Sequence, residues 1–280
     1  MTTSSSPGRD ESSGVSSRPK DWIPYLIVGT LAGAYVILLL AMVVALATYT
    51  SPPAILGVLA RAEIQASIGL TLVSSTAATA MAMVFSLALA IVLSRFEFPG
   101  RSLLDAILDL PHVMPPLVLG LSLLVLFQTM ALRPIAAQVV YQAPAVLLAH
   151  FVIAVSYAVP VLRSALHQCD VRPERFALTL GCSRASAFWL VTVPRLRAAM
   201  VTAAALAWAR CVGTFGPLLV FAGAMRHRTE VLATSIYLEL NVGDLESAVA
   251  VSMVLITLSV CVLTGSRLLG LRQRRQGVRP

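Results

Sequence analysis

Charged side chains are scarce in this chain. Asp, Glu, Lys and Arg make up 12% of its 280 residues, whereas hydrophobic residues make up 58%, which is far from the balance of a soluble domain. Apolar runs of about 20 residues, long enough to cross a hydrocarbon core of about 30 Å, recur along the whole length. The weak alternating pattern of an outer-membrane barrel is missing. The composition therefore predicts an all-α, polytopic membrane protein.

Catalytic motifs are also lacking. The single lysine, Lys20, follows Pro19, so no glycine-rich loop ends in the Lys-Ser or Lys-Thr pair that a P-loop ATPase needs. The four histidines are scattered without metal-ligand spacing. The segment 181–185, GCSRA, resembles a nucleophile elbow only faintly because it lacks the strand–turn–helix context. We therefore expect a protein that is not an enzyme and that holds no catalytic residue, cofactor or metal.

Cysteine is rare as well, and the four cysteines show no paired spacing that would indicate a disulfide framework or a zinc site. We interpret them as small apolar residues in or beside membrane helices. The Ser-rich residues 1–20 lack the apolar core of a cleaved export signal and favour a disordered cytoplasmic tail. The first apolar run, 23–48, is too long for such a signal, so we interpret it as a retained span.

Six apolar runs predict six transmembrane helices. The predicted spans cover residues 23–49, 66–93, 106–130, 142–163, 198–223 and 246–268. Most arginines then fall on one side of the membrane, and four fall on the other side, namely Arg61, Arg133, Arg226 and Arg228. Because basic residues accumulate in cytoplasmic loops, we expect both termini in the cytoplasm. The transmembrane domain would cover 21–270, with a cytoplasmic loop at about 164–197 and a basic cytoplasmic tail at 271–280.

The net charge of +8 could indicate a nucleic-acid partner. The basic residues flank membrane spans, however, so the cytoplasmic bias of positive charge already explains them, and we expect no nucleic acid. A contact between the basic C-terminal tail and anionic membrane lipid agrees with this pattern.

Prolines mark the start of the third predicted span. Pro111, Pro115 and Pro116 each interrupt the helical hydrogen-bond ladder, and in a membrane the freed carbonyl groups must be satisfied by protein or by cavity water. This favours a position for Pro115 and Pro116 beside other helices or an aqueous path. The alternative is a simple helix start with Pro116 in the first turn.

The segment 175–194, between the fourth and fifth spans, is amphipathic. We expect a short helix around 172–180, ended by Gly181 as a C-terminal stop. Phe176 and Leu180, at i and i+4, would then form one apolar face for a groove on a partner protein. The alternative is that this face folds back on the chain's own helices.

This segment resembles the signature of type I ABC importer permeases, which runs Glu-Ala-Ala, three residues, Gly, nine residues, Ile-x-Leu-Pro. The triplet falls on Arg175, Phe176 and Ala177, the glycine on Gly181 and the final proline on Pro194. Arg175 stands where the glutamate is expected, and Glu174 lies one position early. The resemblance implies that the contact with a cytoplasmic ATPase is made by Arg175, Phe176, Ala177, Leu180, Gly181 and Pro194.

The resemblance extends from about the second span to the sixth. Residues 207–216, AWARCVGTFG, resemble the segment that reads A-x-A-R-x-x-G-E-F-G in molybdate permeases, with Thr214 in place of the glutamate. The resemblance implies the permease subunit of an importer for molybdate, tungstate or sulfate in a prokaryotic inner membrane. It also implies a second permease subunit in a homodimer, a cytoplasmic ABC ATPase dimer and an extracytoplasmic substrate-binding protein.

Arg210 lies about halfway through the fifth predicted span, where a charge is costly and therefore a functional candidate. Arg210, Thr214 and Pro217 share a helix face at i, i+4 and i+7. Gly213, Gly216 and Pro217 weaken the helix just beyond the arginine. We expect this face, together with the prolines at the start of span three, to line the translocation path, with Arg210 near a gate.

Three alternatives stay open. The substrate could be of the phosphonate, iron or polyamine type. The chain could be a self-contained channel or secondary transporter, although such proteins usually show inverted repeats and paired intramembrane ionisable residues, and the sequence shows neither. Finally, Arg210 could have a packing role in which its guanidinium pairs with helix-end carbonyl groups or with a carboxylate such as that of Asp109.

Overall fold

The structure is a computed structural model that describes residues 22–276. The described part is helical and contains no β-strand. Its helices, with one π-helical turn at Phe188–Thr192, are α1 Trp22–Tyr49, α2 Pro52–Leu59, α3 Ala62–Arg95, α4 Arg101–Val113, α5 Pro116–Leu126, α6 Arg133–Val139, α7 Ala143–Gln168, α8 Arg172–Thr179, α9 Arg184–Ala187, α10 Val193–Arg195, α11 Arg197–Val212, α12 Gly216–Phe221, α13 Leu232–Val242 and α14 Leu245–Gln276.

The chain divides into two compact units at Thr48 and Tyr49. The described part of the first unit is α1 without its last residue, and the 28 residues of α1 include no charged residue. The predicted N-terminal tail, residues 1–20, lies outside the described residues. In the predicted C-terminal tail, residues 271–276 continue α14 as helix, and residues 277–280 lie outside the described part.

Residues 22–276 contain four to six elements that are long and apolar enough to span a membrane. Four single helices are long and apolar enough to cross a membrane, at Tyr25–Tyr49, Ala62–Arg95, Ala143–Gln168 and Leu245–Gly265. Two bent pairs, α4 with α5 and Arg184–Arg195 with α11, bring the total to six when each pair counts as one span. The predicted all-α fold with six transmembrane helices is confirmed.

The third span is not the continuous helix that was expected over 106–130. α4 and α5 meet at an angle of 116°, and Met114 and Pro115 between them have extended backbone. Because proline disfavours a helical conformation in the residue before it, Pro115 and Pro116 together force this bend. Pro116 is also the first residue of α5, so the interruption and the simple helix start occur together.

The fifth predicted span, 198–223, is also not one continuous helix. α11 bends by 67° against Arg184–Arg195 at its start, and a second interruption follows its end. α11 ends at Val212, and a short non-helical stretch separates it from α12. Pro217 stands in the first turn of α12, where its missing N–H breaks no hydrogen bond. The predicted weakness just beyond Arg210 is confirmed, and Arg210 lies in the last turn of α11 rather than halfway through a helix.

Small residues allow α3, α7 and α11 to pack closely, as is common between membrane helices. Ala82 and Ala90 of α3 and Ala154 and Ala158 of α7 are fully buried in one cluster. Buried polar side chains join the same helices to their neighbours. His150 Nδ1 lies 3.1 Å from Ser74 Oγ, Ser235 Oγ donates to Ser67 Oγ at 3.1 Å, and the backbone N–H of Leu232 donates to Thr71 Oγ1 at 2.9 Å.

Candidate functional site

A cavity of about 680 Å³ lies where the two broken spans meet α7 and α13. Most of its lining is apolar, and α4, α5, α7, α11, α12 and α13 all contribute to it. The structure brings six of the seven predicted path residues to this cavity, namely Pro116, Arg210, Gly213, Thr214, Gly216 and Pro217. Pro115 is not among the lining residues. The grouping comes from the break in the fifth span, since Arg210, Thr214 and Pro217 do not share one continuous helix face.

The two broken spans contact each other through backbone. A Cβ atom added to Gly216 would lie 2.6 Å from Pro116 Cβ, and one added to Gly120 would lie 2.8 Å from the Pro217 carbonyl oxygen. Each span therefore places a glycine against the proline of the other. This reciprocal contact fixes α5 and α12 in place as one wall of the cavity.

Arg210 carries the cationic charge of the cavity. Its Cζ lies 4.7 Å from the centroid of the Tyr157 ring, and its backbone carbonyl accepts a hydrogen bond from Thr214 Oγ1 at 2.7 Å. Arg210 forms no ion pair with any described carboxylate, so the alternative pairing with Asp109 is not present. A guanidinium balanced by an aromatic ring alone keeps its hydrogen-bond donors for a ligand.

Tyr157 and His112 also line the cavity, and neither was expected as a path residue. Tyr157 contacts Arg210 from α7, and the His112 ring from α4 lies 4.4 Å from the Tyr157 ring, centroid to centroid. His112, Tyr157 and Arg210 all line the cavity, and Tyr157 contacts both of the other two side chains. No local pattern marks Tyr157, whereas His112 adjoins Pro111 in the proline-rich start of the third span.

The short helix expected around 172–180 is present as α8. Gly181 follows it with φ +87°, a conformation that glycine adopts without strain and that ends a helix. Phe176 is 66% exposed and Leu180 is 71% exposed, so this face does not fold back on the described helices. Trp189 and Leu190 are likewise 60% and 71% exposed and add to the apolar surface near α8.

Glu174 anchors α8 to the membrane helices. Its Oε2 accepts hydrogen bonds from Arg95 Nη2 at 2.6 Å and from Thr192 Oγ1 at 2.7 Å. Arg95 is the last residue of α3, and Thr192 ends the π-helical turn that leads into α10 and α11. The glutamate that stood one position early therefore makes internal contacts, while Arg175 is exposed and forms no ion pair within the described residues.

Two of the predicted ATPase-contact residues, Ala177 and Pro194, lie in different helices. Ala177 lies within α8 and is partly buried, whereas Pro194 lies in α10, just before α11. Arg175, Phe176, Leu180 and Gly181 are the exposed residues of the predicted set.

A second charged cluster joins α3, α13 and α14 at the end opposite to α8. Arg226 bridges Glu63 and Glu239, and its Nη2 lies 3.0 Å from Glu239 Oε1. Arg61 lies 3.5 Å from Glu239 and 3.6 Å from Asp244.

Asp244 has its own hydrogen bonds at the start of α14. Ser247 donates to the Asp244 carboxylate from its backbone N–H at 3.0 Å and from its Oγ at 2.6 Å. These hydrogen bonds, with a smaller contribution from Arg61, lower the pKa of Asp244 below its ordinary value.

The chain is similar to permease subunits of known transporters. It is 32% identical over 211 residues to the sulfate transport system permease protein CysT of Escherichia coli (strain K12), covering 74% of this chain and 76% of the relative. It is 30% identical over 253 residues to the molybdenum transport system permease protein ModB of Mycobacterium tuberculosis (strain ATCC 25618 / H37Rv), covering 88% and 94%.

The fold is similar to that of a chain in the crystal structure of a bacterial alginate ABC transporter in complex with alginate pentasaccharide-bound periplasmic protein. The TM-score is 0.73 over 90% of this chain and 95% of that chain, at 15% identity. The family model of the binding-protein-dependent transport system inner membrane component matches residues 82–275. These relatives confirm the prediction that the chain is a transport subunit and not an enzyme. The chain belongs to the family of inner membrane components of binding-protein-dependent transport systems.

Proposed function

We propose that this chain forms the translocation path of an ATP-driven importer for a small tetrahedral oxyanion of the sulfate, molybdate or tungstate class. The observation that carries the proposal is the guanidinium of Arg210, which lines a cavity between two broken spans without a carboxylate partner among the described residues. A planar fork of N–H donors fits a tetrahedral oxyanion. The names of the sulfate and molybdenum transport relatives support the same substrate class.

The path consists of the cavity face formed by Pro116, Gly213, Thr214, Gly216 and Pro217, with Pro115 at the bend that shapes it. Non-helical backbone is tolerated at membrane depth where it lines a cavity. The breaks in spans three and five therefore serve the path, because they expose backbone groups and separate rigid helical segments that can move against each other.

The proposed ATPase-docking surface is the exposed face of α8, with Arg175, Phe176 and Leu180 at its centre. Ala177 and Gly181 shape this helix and its end, and Pro194 begins the connection to α11. The hydrogen bonds of Glu174 to Arg95 and Thr192 give a displacement of α8 a direct mechanical route into α3 and α11. ATP binding closes the paired ATPases, moves both α8 helices and converts the inward-facing state into the outward-facing state.

The assembly contains two copies of this chain, a cytoplasmic ATPase dimer and an extracytoplasmic binding protein. Both termini lie in the cytoplasm of a prokaryotic cell, with the basic tail against anionic lipid. The bias of arginine toward the α8 side supports this orientation. The transmembrane domain covers 21–270, between the tails 1–20 and 271–280.

Reconstitution tests this proposal. The chain is purified with its ATPase, placed in proteoliposomes with the binding protein, and supplied with sulfate, molybdate, tungstate or phosphonate. We expect ATP-dependent uptake and stimulated ATP hydrolysis with at least one of the first three anions. Uptake by this chain without an ATPase, or uptake of phosphonate alone, would contradict the proposal.

A further inference from the structure

We propose that Tyr157, supported by His112, is a positioning residue that holds the Arg210 guanidinium with its N–H edge free to receive the oxyanion in the cavity. This inference rests on the proposed function and adds to it a named determinant of oxyanion binding. Neither Tyr157 nor His112 lies in the segment 207–216 that resembles molybdate permeases.

The geometry separates the two ways in which a guanidinium can be bound. A cation–π contact sets the guanidinium over the face of an aromatic ring, whereas a carboxylate offers oxygen acceptors that pair with the N–H donors of the guanidinium. With Arg210 Cζ 4.7 Å from the Tyr157 ring centroid, the aromatic contact compensates part of the charge without occupying a donor. A carboxylate partner would occupy two donors and compete directly with the substrate anion.

The ring of Tyr157 is itself held in position. His112 packs against it with a centroid distance of 4.4 Å, and His112 and Tyr157 come from α4 and α7. Arg210 lies in the last turn of α11, two residues before the helix ends. Since a long arginine side chain loses many rotamers when it is ordered, a ring that orders it in advance lowers the entropic cost of binding an anion.

This arrangement also suits a transporter, which must release its substrate. Arg210 is the cationic group that the described residues contribute to the cavity lining. One guanidinium that is oriented but not surrounded by further cations gives weak and reversible recognition.

The test is equilibrium binding of radiolabelled sulfate or molybdate to the purified permease–ATPase complex in the absence of the binding protein. We expect Tyr157→Leu to weaken anion binding by about 2- to 30-fold, the range that a cation–π contact supports. Tyr157→Phe restores the ring and is expected to recover most of this loss. Phe85→Leu is the matched control, because Phe85 packs edge-on against Phe151 at 5.3 Å outside the cavity and is expected to leave binding unchanged.

The outcomes separate the inference from the proposed function. Equal or tighter anion binding by a folded Tyr157→Leu complex would overturn the inference, because the ring would then be neutral or a competitor. Failure of Tyr157→Phe to recover binding would overturn it as well, since the hydroxyl rather than the ring face would be responsible. If the wild-type complex neither bound nor transported either anion, the proposed substrate class itself would be wrong.

Discussion

Replacing Glu174 by glutamine should uncouple ATP hydrolysis from transport while leaving the fold intact. The substitution preserves side-chain size and removes the negative charge that accepts hydrogen bonds from Arg95 at 2.6 Å and Thr192 at 2.7 Å. Because these bonds connect α8 to the end of α3 and to the segment before α11, their loss would allow α8 to move without moving the membrane helices.

The magnitude follows from the geometry of this pair. Hydrogen bonds to charged groups contribute about 1.5–3 kcal/mol. The Arg95 and Glu174 side chains are 26% and 19% exposed, so solvent screens them in part, and an amide keeps some of the hydrogen bonding. We expect a loss of about 1–2 kcal/mol, or about 5- to 30-fold in the equilibrium between anchored and loosened α8.

The assay is the number of anions imported per ATP hydrolysed in proteoliposomes that contain the complete transporter. We expect Glu174→Gln to lower this ratio several-fold. Glu97→Gln is the matched control, because Glu97 is exposed just beyond α3 and forms no ion pair in the described part of the chain. A Glu174→Gln transporter of normal abundance with an unchanged ratio would refute the role of this anchor.

Three further predictions test separate features. Arg175→Glu reverses the charge on the exposed face of α8 and should weaken ATPase co-purification and coupling, whereas unchanged coupling would show that this charge is not recognised. Gly216→Ala should lower the thermal stability of the purified protein, with a cost of about 1–3 kcal/mol from overpacking, because its Cβ would lie 2.6 Å from a proline carbon. Gly69→Ala is the control, because a Cβ added to Gly69 would have no atom within 4 Å, and it should not destabilise the protein. Equal losses of thermal stability in the two variants would refute the close contact at Gly216. Hydrogen bonds from Ser247 lower the pKa of Asp244. The ionised Asp244 therefore stabilises the folded protein at pH values above the ordinary aspartate pKa, and this stabilisation is lost as the pH falls below about 4. In the Asp244→Asn variant, the melting temperature should depend less on pH in this acidic range. An unchanged pH dependence would exclude Asp244 as its source.

The spans and the α8 helix follow from local sequence patterns. Runs of apolar residues define where a helix can cross a bilayer, and Gly181 ends α8 because a left-handed conformation suits glycine. The weakness beyond Arg210 also follows from residue type, since Gly213, Gly216 and Pro217 each disfavour a continuing helix.

Hydropathy could not reveal where the broken spans bend. The same apolar composition suits one helix across 106–130 or two helices at 116°. The bend comes from Pro115 and Pro116, and the close contact of Pro116 with Gly216 then holds the second half in place. A continuous fifth span would also place Arg210 in the middle of a helix, whereas the break leaves it in a terminal turn.

The partners of the site residues were beyond local sequence reasoning. Glu174 pairs with Arg95 across 79 residues, and Tyr157 and Arg210 come from different helices. Such contacts are set by how helices pack, and one sequence carries no local pattern for them. The sequence did show that a glutamate, Glu174, lies one position before the glutamate of the permease signature. The structure shows that this glutamate binds Arg95 and Thr192.

The most direct test of the proposed oxyanion path is uptake by the Arg210→Ala and Arg210→Lys transporters in proteoliposomes with sulfate or molybdate. Loss of a charge-assisted contact of about 1.5–3 kcal/mol predicts about 10- to 150-fold slower uptake for Arg210→Ala. Arg210→Lys keeps the charge without the planar fork and should recover part of the rate. Unaltered uptake by an intact Arg210→Ala complex would contradict the proposal that Arg210 contacts the anion in the translocation path.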